Sequence, residues 1–100
     1  MAKVASAPSG EIDLATVDAF RDCLYEIIDE CDVSIVRVDL QAVTFLGSSG
    51  CRALMDANEY AIRHGHLISI CNISALGAKV IGICDSDKQL HIEGLASATN

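Results

Sequence analysis

The run Ser34-Ile35-Val36-Arg37-Val38-Asp39-Leu40 is the feature that most limits what this chain can fold into. It is nearly continuous in β-branched and apolar side chains, the pattern of a strand covered on both faces within a parallel sheet. The chain then passes through Gln41-Ala42-Val43-Thr44-Phe45-Leu46 into Gly47-Ser48-Ser49-Gly50, and a helical pattern opens at Cys51-Arg52-Ala53-Leu54. A buried strand that enters a helix through a small-residue turn exposes two hydroxyls beside unpaired N–H groups and the positive end of the helix dipole. A serine in that position can cap the helix, carry a phosphate, or do each at different times.

The rest of the sequence reads as scaffold for that turn. Pro8 limits the first nine residues to a short or edge strand, and Gly10-Glu11-Ile12-Asp13 follows as a turn or strand end. Thr16 has the character of an N-cap, and Val17, Phe20, Leu24, Ile27, Ile28 and Cys31 recur at helical spacing. The acidic end Asp29-Glu30-Cys31-Asp32 opposes the dipole, so that end is expected to fray. In the second helix Cys51, Leu54, Met55 and Ile62 share one face, with Arg52–Asp56 and Glu59–Arg63 as solvent-side pairs and Gly65 as the stop. Leu67-Ile68-Ser69-Ile70-Cys71 is another buried strand. Ser74 caps a third helix carrying Leu76, Val80, Ile83 and Cys84, which Gly77 and Gly82 weaken. Asp85-Ser86-Asp87 is a turn, Leu90-His91-Ile92 a last strand, and residues 94–100 a loose tail. Strands alternating with helices specify βαβ units with right-handed crossovers, here a single domain over residues 1–100.

Composition narrows the partners. Fourteen acidic against seven basic side chains give a formal charge of -7. Phosphate contacts need clustered Lys and Arg, so a nucleic-acid partner is excluded and basic protein surfaces are favoured. No apolar run has the length of a membrane span, and the N-terminal stretch lacks the apolar centre of a signal peptide, so the expected location is the cytoplasm. Cys23, Cys31, Cys51, Cys71 and Cys84 form no CxxC pair and no zinc spacing; each lies among apolar residues and reads as a reduced, buried thiol. His64 and His66 flank Gly65 without further ligands and read as a helix-end loop, and no metal site is expected. No nucleophile–base pair and no phosphate-binding glycine loop occurs, so neither catalysis nor a cofactor is expected.

Two motifs in combination are more specific. Gly10-Glu11-Ile12-Asp13-Leu14-Ala15-Thr16 resembles the opening of STAS domains, and Asp39-Leu40-Gln41-Ala42-Val43-Thr44-Phe45-Leu46-Gly47-Ser48-Ser49-Gly50 resembles their hallmark strand–turn–helix. The spacing between them also fits, and the resemblance continues more weakly to Ile92. It implies an α/β fold of successive βα turns, with a mostly parallel central sheet packed with helices. The hallmark is most similar to that of bacterial anti-sigma factor antagonists, which act in transcription regulation. In that family the unphosphorylated antagonist binds an anti-sigma factor, a serine kinase of the histidine-kinase-like ATPase fold, and frees a sigma factor. The kinase phosphorylates the antagonist to inactivate it, and a serine phosphatase resets it. By position the resemblance makes Ser48 the acceptor, with Ser49 as alternate, and gives partner binding to Asp13, Gly47, Ser48, Ser49 and Gly50.

The chain departs from the hallmark at Gly47, where the family has aspartate, and at Cys51, where it has leucine. Against the family pattern it is shortened at both ends. An exposed sheet edge and apolar face are the expected result, with symmetric pairing into a homodimer as the commonest cover. Two other readings compete with the phosphoswitch: a STAS adaptor that is never phosphorylated, and a thiol-based redox regulator using Cys51 or Cys84.

Overall fold

The computed structural model describes residues 9–85 and 89–93. The expectations for residues 1–8, for 86 and 87, and for the 94–100 tail lie outside the described residues. The elements in chain order are β1 (Gly10–Ile12), α1 (Val17–Glu30), β2 (Ile35–Asp39), β3 (Val43–Leu46), α2 (Ser48–Arg63), β4 (Leu67–Cys71), α3 (Ala75–Cys84) and β5 (His91–Ile92). Every strand pairing among them is parallel, in two ladders ordered β1-β3 and β2-β4-β5. The expected α/β architecture is therefore present.

The stretch from 34 to 46 is two strands, not one. Leu40 still donates to Cys71 O at 3.0 Å, extending the ladder with β4, but Val43 turns back to donate to Leu40 O at 3.0 Å. From there the chain pairs with β1, Gly10 donating to Ala42 O at 2.9 Å. Asp39 holds the bend: its Oδ1 accepts from Gln41 N at 2.9 Å and from Asn72 Nδ2 at 3.2 Å. Asn72 takes a positive φ of 58°, a conformation that asparagine tolerates better than most residues. One segment thus serves both ladders and aims Gly47 at the end of β1.

The core is aliphatic. Phe20, Leu24, Ile27 and Ile28 of α1 join Val36 and Val38 of β2, Ile68 and Ile70 of β4, and Ala53, Leu54, Ala57 and Ala61 of α2. The alanine stripe at every fourth position lets α2 approach its neighbours closely. The expected second-helix face is corrected here: Ile62 is exposed and Met55 only half-buried, because the buried face turns toward the alanines. In α3 the buried positions are Gly77 and Ile81, so Leu76 and Ile83 point outward. With nearly every residue apolar, that helix carries no polar pattern to orient it. Ser74 caps it as expected, its Oγ accepting from Gly77 N at 3.0 Å.

Three local expectations change. The Thr16 side chain makes no helix-cap bond; its Oγ1 donates backwards to Glu11 O at 2.7 Å. The end of α1 is held, since Tyr60 Oη donates to Asp29 Oδ1 at 2.6 Å and Tyr60 stacks on Tyr25 with centroids 4.5 Å apart. Asp56 sits 3.7 Å from Arg21 of α1, in place of the expected pairing with Arg52, whereas Arg63–Glu59 forms at 3.0 Å.

The second face of the β2-β4-β5 sheet is open around Ile35 and Leu67, contrary to the doubly covered strand expected. Ile35 and Leu67, paired across the register, are 52% and 58% exposed. They line a groove of about 700 Å³ with Arg37, Ser69, His91 and Glu93. Arg37 grips Glu93 with two bonds of 2.9 and 3.0 Å, and Ser69 Oγ donates to the same carboxylate at 2.6 Å. The bonds from Arg37 and then Ser69 hold the Glu93 carboxyl below its ordinary value of 4.5. A depressed carboxyl contributes stability above its unfolded pKa and loses it as pH falls through the folded value. Glu93→Gln should therefore lower the Tm at pH 7, and the two melting curves should converge in a titration carried below pH 4.5. A constant gap from pH 7 to pH 3 would show that the carboxylate contributes nothing of this kind.

Candidate functional site

Ile12 and Leu46 are register partners at the C-terminal ends of the parallel pair β1-β3. The loops that leave those ends, residues 13–16 and Gly47, therefore emerge side by side. Gly47 N donates to Ile12 O at 3.0 Å and ties them together.

The 13–16 loop is a closed knot of short bonds. Asp13 Oδ1 accepts from Ala15 N at 3.0 Å and Thr16 N at 3.2 Å, while Asp13 N donates to Thr16 Oγ1 at 3.0 Å. Asp13 is thus engaged in shaping the loop. What the loop presents is Leu14, 85% exposed at its tip, with Phe45 of β3, 45% exposed, beside Gly47. An apolar side chain held out by a rigid turn invites a protein contact. Asp13 and Thr16 were legible as turn and cap residues, but nothing in the sequence marked Leu14 as exposed.

The helix starts three residues earlier than its sequence pattern suggests. Ser48, Ser49 and Gly50 form the first turn of α2, with Gly47 as the extended N-cap at φ −81° and ψ 178°. The first intrahelical bond runs from Cys51 N to Gly47 O at 3.1 Å, so the amides of residues 48–50 are those that a helix leaves without an internal partner. Gly47 offers no side chain to cap them, and the space a Cβ would take lies 3.3 Å from Phe45 Cε2.

Burial separates the three residues after the cap. Ser48 is exposed, Ser49 half-buried and Gly50 buried. A Cβ on Gly50 would lie 2.6 Å from Leu46 Cδ1 and 2.8 Å from Ile12 Cγ2, so only glycine lets the helix rest on the strand ends. Beside the serines is a depression of about 450 Å³ lined by Ser48, Ser49, Arg52, Met55 and Cys84.

The cysteines are all reduced, but only Cys51 and Cys71 are buried; Cys23, in the middle of α1, and Cys31 and Cys84, at helix ends, are half-buried. Burial first, and the hydrogen bond with Cys84 second, push the Cys51 thiol up to about 12. Cys71 is likewise raised by burial. Metal chemistry finds no constellation: among the described residues no three His, Cys, Asp or Glu side chains converge. His64 and His66 serve the fold, their Nδ1 atoms lying 2.8 Å from Tyr60 O and 2.6 Å from Val33 O. No helix of the described residues is long and apolar enough to cross a membrane.

The profile of the STAS domain family matches residues 6–94, and the chain belongs to that family. STAS domains are regulatory modules and not catalysts. A solved structure of similar fold is that of the anti-sigma factor antagonist SpoIIAA in its unphosphorylated form. The likeness has a TM-score of 0.66 at 17% identity and covers 93% of this chain and 81% of that one. No curated protein matches the chain.

Two outcomes test this geometry. Gly50→Ala should destabilise by roughly 1 kcal/mol in urea unfolding: an overpacking cost of about 1–3 kcal/mol less a helix-propensity gain of about 1 kcal/mol. A stabilised variant would mean that the strand ends have room to move. Cys51, with its pKa near 12 against an ordinary 9.0, should carry roughly a thousandfold less thiolate at neutral pH and resist alkylation. Rapid labelling of Cys51 in the native protein, read by peptide mass, would contradict this burial.

Proposed function

We propose that this protein is an anti-sigma factor antagonist of the bacterial cytoplasm, switched off by phosphorylation of Ser48. The observation that carries the reading is an exposed serine hydroxyl opening α2 on a STAS fold, at the same sheet end as the exposed Leu14 and Phe45. Unphosphorylated, that end docks an anti-sigma factor, a serine kinase of the histidine-kinase-like ATPase fold, and so releases a sigma factor. A formal charge of -7 suits a basic docking face on that partner.

The switching step is phosphoryl transfer within the complex. The Ser48 hydroxyl oxygen bonds to the γ-phosphorus of ATP, the bond to the ADP oxygen breaks, and the hydroxyl proton is released. The new group adds about -1.5 to -2 charge to a surface that must be desolvated against the kinase, which weakens the complex. A serine phosphatase hydrolyses the phosphoserine to serine and inorganic phosphate and restores binding. Ser49 is the alternate acceptor, but its half-burial favours Ser48.

A STAS adaptor that is never phosphorylated is the second reading, and Gly47 is the observation in its favour: the N-cap beside Ser48 has no carboxylate. The redox reading loses support from the raised Cys51 thiol, a poor nucleophile at neutral pH.

Incubation with the cognate kinase and ATP, followed by peptide mapping, decides. Phosphate should appear on Ser48, and Ser48→Ala should abolish it while keeping anti-sigma factor binding. Ser48→Asp should weaken binding about tenfold or more, equivalent to roughly 1.4 kcal/mol. Phosphate on Ser49 alone would move the assignment, and tight binding with no phosphate on either serine would select the adaptor.

A further inference from the structure

Arg52 is the cation nearest in sequence to Ser48, one helical turn further along α2. It is exposed and lines the same depression as Ser48 and Ser49. Its expected partner, Asp56, turns instead to Arg21 of α1 at 3.7 Å. Among the described residues Arg52 makes no ion pair, whereas Arg37 and Arg63 each have one and Arg21 has two. The other carboxylate near this end, Asp85, is buried and taken up by the amides of Gln89 and Leu90 at 2.9 and 2.8 Å. Among the described residues, a guanidinium without an ion pair therefore shares this depression with the serine.

We infer that Arg52 is the built-in partner of a phosphate on Ser48, folding it along α2 into the depression the two residues share. The inference rests on Ser48 being the acceptor and concerns what happens once it is modified. Residues four apart on a helix face one another, and with Ser48 as the first helical residue the pair has that spacing. A guanidinium matches phosphate oxygens with a planar fork of donors. The first-turn amides without an intrahelical partner and the helix dipole act in the same direction. Phosphate on Ser48 thus tightens the start of α2, despite the acidic balance of the chain. It also withdraws Arg52 from the docking surface, so one modification changes the charge that a partner meets at two residues. Ser49, three residues before Arg52, also faces this side but starts from a half-buried hydroxyl.

The test installs phosphoserine at position 48 of the full chain during translation, so that no kinase is needed. Thermal melts and phosphorus NMR titrations then compare the parent with R52A, R52K and R63A, the last removing an arginine at the far end of α2. In the parent, phosphorylation should raise the Tm on the order of 2–4 °C, and salt should reduce the gain. R52A should lose most of that rise and move the second phosphate ionisation upward. R52K should keep part of both effects, and R63A should keep all. Equal behaviour of R52A and R63A would overturn the inference, as would a phosphate that lowers the Tm of the parent. Neither result depends on which residue a kinase chooses, so failure of the acceptor assignment would appear separately, in the peptide map.

Discussion

The contact of α2's first turn with Ile12 and Leu46 is the constraint on which the candidate site of this molecule depends. Gly50 removes the one Cβ that would hold the helix off those strand ends. The helix then begins at Ser48, Gly47 reaches Ile12 O, and the 13–16 loop is brought alongside. The serine's exposure follows from that seating, because the turn below it is filled by Cys51, Leu54 and the ends of the strands. A site placed this way sits on rigid elements, with little freedom to be paid for when a partner docks.

Much of the architecture was legible because the signals were strong and local. Ile35, Val36 and Val38 announce a strand, Ser74 announces a helix start, and Gly65, with φ +83°, occupies the helix-end position that glycine tolerates best. The failures have common physical roots. α3 carries Lys79 as its one polar side chain, too little for periodicity to say whether Leu76 or Ile81 faces inward. The bend at 40–42 is built from an aspartate bonding forward to Gln41 N and across to Asn72, a long-range contact without local signature. Thr16 stands where a cap belongs, yet Glu11 O claims its hydroxyl.

At the site, the residue types were readable and their circumstances were not. The two serines could be placed at a helix start and the resemblance points to Ser48, but the exposure of Ser48 against the half-burial of Ser49 was not readable. Arg52 reads in sequence as half of a surface pair with Asp56. Only the packing of α1 against α2, which gives Asp56 to Arg21, leaves it without an ion pair among the described residues. Likewise the cysteine spacing says nothing of Cys51 lying against Cys84, because those residues come from the start of one helix and the end of another.

The uniformly parallel pairing of the described strands also bears on how the chain reaches its fold. Each partnership, β1 with β3, β2 with β4 and β4 with β5, has at least one helix between its members in the sequence. No hairpin is available among them to form early from neighbouring residues. Closing any ladder first costs the entropy of a long loop, which is repaid only when the intervening helix docks. Chains of such high contact order cross their barrier slowly for their size, with β-branched segments unpaired in the meantime. For this protein the vulnerable interval is therefore synthesis: until β4 has been made, residues 35–39 have no strand to lie against.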